Sequence, residues 1–375
     1  MKIAIVLPGG VDRGGEQRVI PVFLALIGRL ARTHEVHVFV LHQEPAPGTW
    51  PLRGATIHNI GEGRTVWRAI AAIRAEHRCA PFDVVQSIFS GHCGLIGVVA
   101  AKSLGLPVLV HIAGGELVAL DAIGYGGRRK WRGRLREAVI LRVANVVTAA
   151  STPIIQALGA LGIPAKRVPL GVDTDTWKPL EPRSRDDAPP KLIHVASLNR
   201  VKDQATLLRA LAILANAGVD FEMRIAGVDM LDGEMQELAR CLGIERRVTF
   251  LGFRTQAELR PLMAASDLLV MSSLHEAGPL VLLEAAVAGV PTVGTAVGHI
   301  AEWANVAALA VPVGDADALA DAMARVLDDE ALRMRLAREA QRRALAEDAH
   351  HTAELFEDMY RIVTAIDPAK AGSVR

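Results

Sequence analysis

The chain opens with a short apolar, β-branched run, KIAIVLP, followed by a glycine-rich turn, GGVDRGGEQR, and an apolar-periodic segment from Val19 to Arg32. That order reads as strand, loop and helix. The alternation returns in EVHVFVLH, FDVVQSIF, LPVLVHIAGG and ANVVTAAS, with helical segments such as Leu95 to Leu104 between some of them. Strands that alternate with helices imply a parallel sheet covered on both faces. Between Pro179 and Pro190 the text changes to PLEPRSRDDAPP, rich in proline and charge, which reads as an exposed connector. Beyond it the alternation resumes: KLIHVASL, the helix DQATLLRALAILANAG, DFEMRIAGV, the helix EMQELARCLGI and RVTFLGF. A helix over Gln256 to Ala265, the strand DLLVMSS, a helix from Pro279 to Ala288, VPTVGTA and long helices after Asp315 complete the pattern.

The expected fold class is therefore α/β, two doubly wound Rossmann-like domains facing across a cleft. Residues 1–180 would form the first domain and residues 181–349 the second. The amphipathic segment HTAELFEDMYRIV, in a helix over about residues 350–366, could return to the first. A length of 375 residues suits two cores better than one. No tandem repeat of a solenoid is visible. With 51% hydrophobic and 22% charged residues and a net charge of +1, the chain has ample apolar surface to bury and no global attraction to nucleic acid. Cys79, Cys93 and Cys241 stand far apart without metal or disulfide spacing, so reduced cytoplasm is the expected compartment. No apolar run is long enough to span a bilayer, and the opening residues do not form a signal peptide.

Ligands of open parallel sheets bind beyond the carboxyl ends of the strands, and the candidate chemistry lies there. In LHEAGPLVLLE, Gly278 permits a tight backbone and Pro279 suits a helix start. The first-turn amides of Leu280 and Val281 then lack intrahelical partners and suit an anion such as a diphosphate. Glu284 lies one and a half turns further in, where it could accept hydrogen bonds from ribose hydroxyls. Glu276 precedes the helix, where it could meet hydroxyls of an attached sugar. A solvated loop acid and a paired helix charge are the plain alternative, against which stands the apolar setting LVLLEAAVAG around Glu284. In HVASLNRVKDQ, Arg200 and Lys202 follow a strand and could clamp a diphosphate and stabilise charge as it departs. The glycines of PGGVDRGGEQR, Gly14 and Gly15 among them, allow close backbone approach. The loop does not fit GxGxxG in register, and no acid ends the second strand, which argues against a nicotinamide dehydrogenase.

These segments resemble the retaining GT-B glycosyltransferases, in particular family 4, over nearly the whole chain. The most specific element is the E-x7-E pair, Glu276 and Glu284, followed by GVPTVGTAVGHIAEW. RVTFLGF looks like the loop that cradles the base, placing Gly252 and Phe253 at the donor; LGVDTDTWKP and GGEQR resemble two further family stretches. The resemblance implies a nucleotide-diphosphosugar donor, a UDP-sugar or GDP-sugar, held mainly by the second domain, and an acceptor held by the first. It implies no cofactor and no essential metal. The diphosphate is neutralised by an Arg/Lys pair and a helix N-terminus, and attack comes on the face the leaving group departs from.

The chain departs from the family at two points. Ser197 aligns with the family arginine, with Arg200 as a neighbouring substitute, while Lys202 matches the family lysine. The family histidine of the first domain aligns with Ala113; His111, two residues earlier, and His92 are the substitutes, although a lone strand histidine is more often a packed core residue. The segment from Arg128 to Arg142 carries seven basic residues, one acid and Trp131, and reads either as a solvated helix or as a contact with anionic membrane or an anionic acceptor. A glycan or lipid-linked acceptor in bacterial glycan or glycolipid assembly, at the inner face of the membrane, follows from the second reading. The rival functions are a nucleotide-sugar 2-epimerase of the same fold and an inactive nucleotide- or glycan-binding protein.

Overall fold

The computed structural model describes residues 1–186 and 188–365. Among the described residues it divides into two compact units, one formed by residues 1–173 with residues 349–365, the other by the described residues from Thr174 to Asp348.

In the first unit the elements run β1 (Lys2–Leu7), α1 (Pro21–Leu30), β2 (Glu35–Val40), β3 (Gly48–Leu52), β4 (Ala55–Asn59), α2 (Thr65–Cys79), β5 (Val84–Ile88) and α3 (His92–Leu104). β6 (Val108–Ile112), α4 (Trp131–Val143), β7 (Val146–Ala149), α5 (Thr152–Ala160) and β8 (Lys166–Arg167) follow. The sheet order is β3-β4-β2-β1-β5-β6-β7-β8, parallel throughout except for β3 against β4. Every residue of β1, β5 and β6 is buried, as expected of central strands covered on both faces. The β3–β4 hairpin was not expected. It turns on Arg53 and Gly54, both with positive φ, the backbone that a two-residue hairpin turn requires.

The second unit runs β9 (Lys191–Val195), α6 (Gln204–Asn216), β10 (Glu222–Ala226), α7 (Glu234–Cys241), β11 (Val248–Gly252), α8 (Gln256–Ala264), β12 (Leu268–Met271) and α9 (Leu280–Val287). It ends with β13 (Thr292–Thr295), α10 (Gly298–Glu302), β14 (Ala308–Val311), α11 (Ala316–Asp328) and α12 (Glu330–Ala346). Its sheet is wholly parallel in the order β11-β10-β9-β12-β13-β14. This is the doubly wound order that reverses about its first strand, leaving a crevice between the loops after β9 and β12.

α13 (Ala349–Ala365) belongs to the first unit. Ala349, Thr352, Ala353, Phe356, Met359, Tyr360 and Val363 recur at helical spacing and are buried. Thr352 donates its hydroxyl to the Pro169 carbonyl and accepts from the Gly171 amide, each at 2.8 Å. Tyr360 donates to Gln86 of β5, and Phe356 lies edge-on to His111, ring centres 5.2 Å apart.

The segment read as an exposed connector is largely exposed, and it is also tied to the second unit. The Leu180 amide donates to the Val287 carbonyl at 3.0 Å, and the Arg183 guanidinium reaches Asp267 at 2.9 Å. Trp177, ahead of it, is buried. Proline and charge suppress periodicity in this stretch, but its backbone and arginines dock on the second unit, so the division falls earlier, after Asp173.

Phe356→Ala removes a fully buried ring and should cost about 3–5 kcal/mol. Scanning calorimetry should show the melting transition lowered by roughly 10 °C; an unchanged transition would contradict the docking of α13.

Candidate active site

The loops after β9 and β12 flank the reversal point of the second sheet and are joined through their backbones. The Leu274 amide donates to the Val201 carbonyl at 2.8 Å, and the Ser272 hydroxyl to the Lys202 carbonyl at 2.9 Å. Asn199 Oδ1 accepts from the amides of Val201 and Lys202, both at 3.2 Å. Asp203 follows in left-handed backbone, φ +48°, and caps α6 by accepting from the Thr206 amide and hydroxyl. Lys202 thus leaves a fixed turn, and its ammonium meets Glu276 Oε1 at 2.5 Å. The same oxygen accepts from the Ser273 hydroxyl at 2.6 Å. The cation and the acid expected from separate loops form one contact.

Beneath them lies His194, fully buried on β9. Its Nδ1–H donates to the Val270 carbonyl at 2.8 Å, and its Nε2 accepts from the Gln204 amide group at 3.1 Å. Burial, and more weakly the charge of Lys202, hold it down at about 4, so the imidazole is neutral and acts as a spacer between β9 and β12.

On the other side of Glu276, Gly278 packs on the buried ring of His299: a Cβ there would stand 2.8 Å from His299 Cε1. Pro279 is the N-cap of α9 and not its first residue, because its ψ of 118° is extended. No side chain caps this end, and the Leu282 amide is already bonded to the Pro279 carbonyl at 3.2 Å. The amides of Leu280 and Val281 are therefore the ones with no intrahelical acceptor. Glu284, further along α9, is buried. Its Oε1 accepts from Gln256 Nε2 at 3.0 Å, and Gln256 Oε1 in turn accepts from the Trp177 indole at 2.5 Å. Burial pushes the Glu284 carboxyl up to about 7, offset in part by the Gln256 hydrogen bond.

At the ends of the neighbouring strands, Ser197, Gly227 and Gly252 come together. The Gly227 amide donates to the Gly252 carbonyl at 2.9 Å, and a Cβ on Gly227 would fall 1.9 Å from the Ala196 carbonyl, so only glycine lets β9 and β10 close here. Gly252 faces open space, and Phe253 next to it is more than half exposed.

Two expected members do not join the cluster. Arg200 pairs with Glu234 at the start of α7, at 2.7 Å, and both side chains are half exposed. Its loop carries it past the turn at Asn199, onto the surface, and such a pair contributes little. His111 is fully enclosed in the first unit, bonded through Nδ1 to Thr148 Oγ1 at 2.9 Å and covered by Phe356. With no exposed atom it cannot reach a substrate. Its burial, which drives it down to about 3, makes it a neutral core residue.

In the first unit, the turn after β1 carries Gly14 and Gly15. The Gly15 amide donates to the Asp12 carbonyl at 3.0 Å, and Gln43 Oε1 anchors the loop by accepting from the amides of Gly10 and Val11 at 2.8 and 3.0 Å. One residue absent from the expected set appears beyond β6. Glu116 accepts from the Ser90 amide at 3.3 Å through Oε1, while Oε2 is enclosed without a partner. Burial raises this carboxyl to about 7, against the lowering effect of nearby peptide N–H groups. It can therefore give or take a proton near neutral pH. The available signal was an acid three residues beyond Ala113, directly after a strand and a Gly-Gly pair.

Among the described residues, one group has metal-ligand character: His37, His58 and Glu76, whose donor atoms lie within 4.8 Å of one another. The Lys2 ammonium already sits 2.8 Å from Glu76 and 3.2 Å from Glu35, so a fixed cation occupies that place.

Two doubly wound units, with charged and polar groups gathered at the reversal point of the second, define the class of fold to which the chain belongs. Residues 176–343 match the model of the glycosyl transferases group 1, and residues 19–171 that of the glycosyl transferase 4-like domain. Together the matches take in both units, and the chain belongs to the group 1 glycosyltransferase family, with the GT-B fold. It is 31% identical over 229 residues to EpsF of Bacillus subtilis (strain 168), a match that spans 57% of this chain and 57% of that protein, little more than half its length. It is 28% identical over 371 residues to 2-deoxystreptamine glucosyltransferase of Streptomyces kanamyceticus, covering 92% and 93% of the two chains. In fold it is similar to sucrose-phosphate synthase of Thermosynechococcus elongatus, with TM-score 0.82, 20% identity and coverage of 97% and 99%. It is also similar to Anabaena Alr3699/HepE in complex with UDP and glucose, with TM-score 0.72, 21% identity and coverage of 96% and 99%.

The buried Glu284 carboxyl gives a testable sign. Its folded pKa of about 7 lies above the usual 4.5, so the native state holds a proton that the unfolded chain has released. Its contribution is intact below about pH 4.5 and is lost as pH rises through 7. Glu284→Gln should therefore stabilise the ligand-free protein at pH 8 relative to wild type, by up to about 3 kcal/mol, and do little at pH 4.5. Urea unfolding at the two pH values measures this; an equal effect at both would contradict a shifted carboxyl.

Proposed function

We propose that the chain is a retaining, metal-independent glycosyltransferase that moves a sugar from a nucleotide-diphosphosugar, UDP- or GDP-linked, to a glycan or lipid-linked acceptor. The observation that carries this reading is the direct contact of Lys202 with Glu276 beside the uncapped start of α9. In this reading the Lys202 ammonium and the amides of Leu280 and Val281 take the diphosphate, so that negative charge developing on the leaving group meets prepared donors. Glu276, freed from Lys202 as the phosphate arrives, accepts from hydroxyls of the transferred sugar. Glu284 accepts from the ribose, and the half-open ends at Gly252 and Phe253 receive the base. Arg200 has a flexible, exposed partner in Glu234 and can exchange it for phosphate. The departing phosphate takes the acceptor's proton, so the protein supplies orientation and charge and no nucleophile. UDP and glucose in the Alr3699/HepE structure, and the transferase names of the matched relatives, support a nucleotide-sugar donor over the epimerase and the inactive binder.

The acceptor side includes a membrane. On α4, Trp131, Leu135, Val139 and Val143 follow one another at four-residue spacing and are all exposed, between 36% and 62%. Arg132, Arg134 and Arg142 flank them, and the helix buries its other face through Glu137, Ile140 and Leu141. An apolar stripe edged with arginines suits the headgroup zone of an anionic bilayer, where the side chains enter the acyl boundary and the guanidiniums meet phosphate. No helix among the described residues is long and apolar enough to cross a membrane.

Glu276→Ala and Lys202→Ala should each lower turnover by about 100-fold or more, with an unchanged circular dichroism spectrum. UDP or GDP should raise the melting temperature of wild type and less so that of Lys202→Ala; full activity in both variants would overturn the site. Trp131→Ser with Leu135→Ser should abolish co-sedimentation with phosphatidylglycerol vesicles and leave turnover of a soluble acceptor intact. Equal sedimentation of variant and wild type would remove α4 from the membrane reading.

A further inference from the structure

The first unit carries a cavity of about 390 Å³ that nothing above uses, lined by Leu41, His42, Arg64, Thr65, Val66, Trp67 and His92. These residues come from the loop after β2, the start of α2 and the start of α3, so the cavity sits at the carboxyl end of the first sheet, where such sheets bind ligands. Its volume falls in the range of small-molecule sites and accommodates one or two sugar rings.

Three features of the lining specify a ligand. Trp67 is 73% exposed, the most exposed large apolar side chain among the described residues, although it stands on the first turn of a helix whose other face is packed. A flat indole left in water beside a cavity offers what a pyranose needs: the ring's axial C–H groups form an apolar, weakly electropositive face that packs on the negative face of an aromatic ring. His42 and His92 supply ring nitrogens that give and take hydrogen bonds to hydroxyls; His92 is held down by partial burial and by the nearby charges of Arg136 and His42, which favours its neutral form. Arg64 supplies the one permanent charge of the lining, which contains no carboxylate, and its guanidinium has no ion pair among the contacts of the described residues. Arg136, close enough to act on His92, adds to the same positive field. Arg64 is exposed at the edge of the cavity, where its guanidinium can grip an anionic group with two parallel N–H donors.

We infer that this cavity is the acceptor subsite and that it takes a hexopyranoside bearing an acidic substituent, a carboxylate or a phosphate, with the sugar ring on Trp67 and the acid on Arg64. The inference rests on the reading of the chain as a glycosyltransferase, and goes beyond it by naming the acceptor's chemistry and the residues that read it. Trp67 is a stacking platform and Arg64 a specificity residue; neither is placed at the reacting bond. The orientation that follows puts the hydroxyls of the ring's edge toward His42 and His92.

The test is direct binding, independent of turnover. Saturation-transfer NMR would be run on the full chain with three pairs of probes, the methyl gluco-, galacto- and mannopyranosides and their 6-carboxylates, and with the corresponding 6-phosphates. The expected result is saturation of the ring C–H protons in at least one configuration. An acidic member should bind roughly tenfold more tightly than its neutral parent, the carboxylate and phosphate arms telling which acid is preferred. Trp67→Ala should abolish the signal for every probe. Arg64→Gln should keep the signal and bring acidic and neutral probes to equal affinity. Silence of all probes, or signals unchanged in Trp67→Ala, overturns the subsite; equal affinities in wild type overturn the acidic acceptor. UDP and GDP binding measured on the same samples separates the two readings: nucleotide binding with no probe signal sinks the subsite alone, whereas no nucleotide binding in any sample sinks the glycosyltransferase reading.

Discussion

The arrangement of the second unit depends on one constraint: its strands all point the same way, and their order reverses about β9. In a parallel sheet each strand must be followed by a crossover that returns to the same edge, so consecutive helices pass over opposite faces on the two sides of the reversal. The loops after β9 and β12 therefore part, and the backbone between them is left with polar groups that no strand can satisfy. Here those groups find one another. Val201 and Leu274 pair through their backbones, Ser272 holds the Lys202 carbonyl, and only then does the Lys202 ammonium reach Glu276. The ion pair is the last bond of a backbone network, which is why its members are fixed while Arg200, two residues earlier, is spent on the surface.

The same site stores an unfavourable burden. Glu284 on α9 is buried among Leu282, Leu283, Ala285 and Ala286 with a single amide donor. A carboxylate so placed loses most of its hydration and recovers little of it from one neutral hydrogen bond. A leucine of similar size would satisfy the helix and the core better. Glu116, in the loop after β6 of the first unit, is likewise raised by burial, against the lowering effect of nearby peptide N–H groups. Two acids displaced toward neutrality by burial, each at the ligand end of a parallel sheet, are arrangements that stability alone does not favour. His194 and His111 show the contrast: both are deeply buried and driven to the neutral form, but a neutral imidazole with one or two hydrogen bonds costs little and serves as packing.

Much of this was legible in the residues. Each run of β-branched residues quoted from the pattern is a strand, and the helix over Gln256 to Ala265 ends within one residue of α8. Lys202, Glu276 and Glu284 could be singled out because the rule that ligands gather beyond strand ends turns a list of charges into positions. The failures have physical causes. His111 is the packed core residue that a lone strand histidine more often is; on a strand buried on both faces, period-two alternation could not by itself decide between core and site. The β3–β4 hairpin was hidden because its turn is Arg-Gly instead of Asn-Gly and because β3 contains Pro51, tolerated only because β3 is an edge strand. The stretch from 179 to 190 is mostly exposed, as its lack of periodicity implied, but its attachment was hidden because periodicity reports side-chain burial, whereas Leu180 and Arg183 are held by backbone and guanidinium hydrogen bonds. Glu116 was passed over since a single acid in a glycine loop has no spacing partner to mark it.

Both units share one winding, yet their ligand ends are chemically opposite, and that difference follows from which elements meet there. In the second, a cation, an acid and uncapped amides converge, a set suited to a compact, highly charged group that must be held while its charge grows. In the first, the elements at the same end bring an exposed indole, two imidazoles and one guanidinium. Such a surface does little for a diphosphate, because its single guanidinium cannot neutralise two charges. It suits a neutral ring with hydroxyls and at most one acid group. A fold used twice in one chain thus presents charge at one sheet end and an exposed aromatic surface at the other.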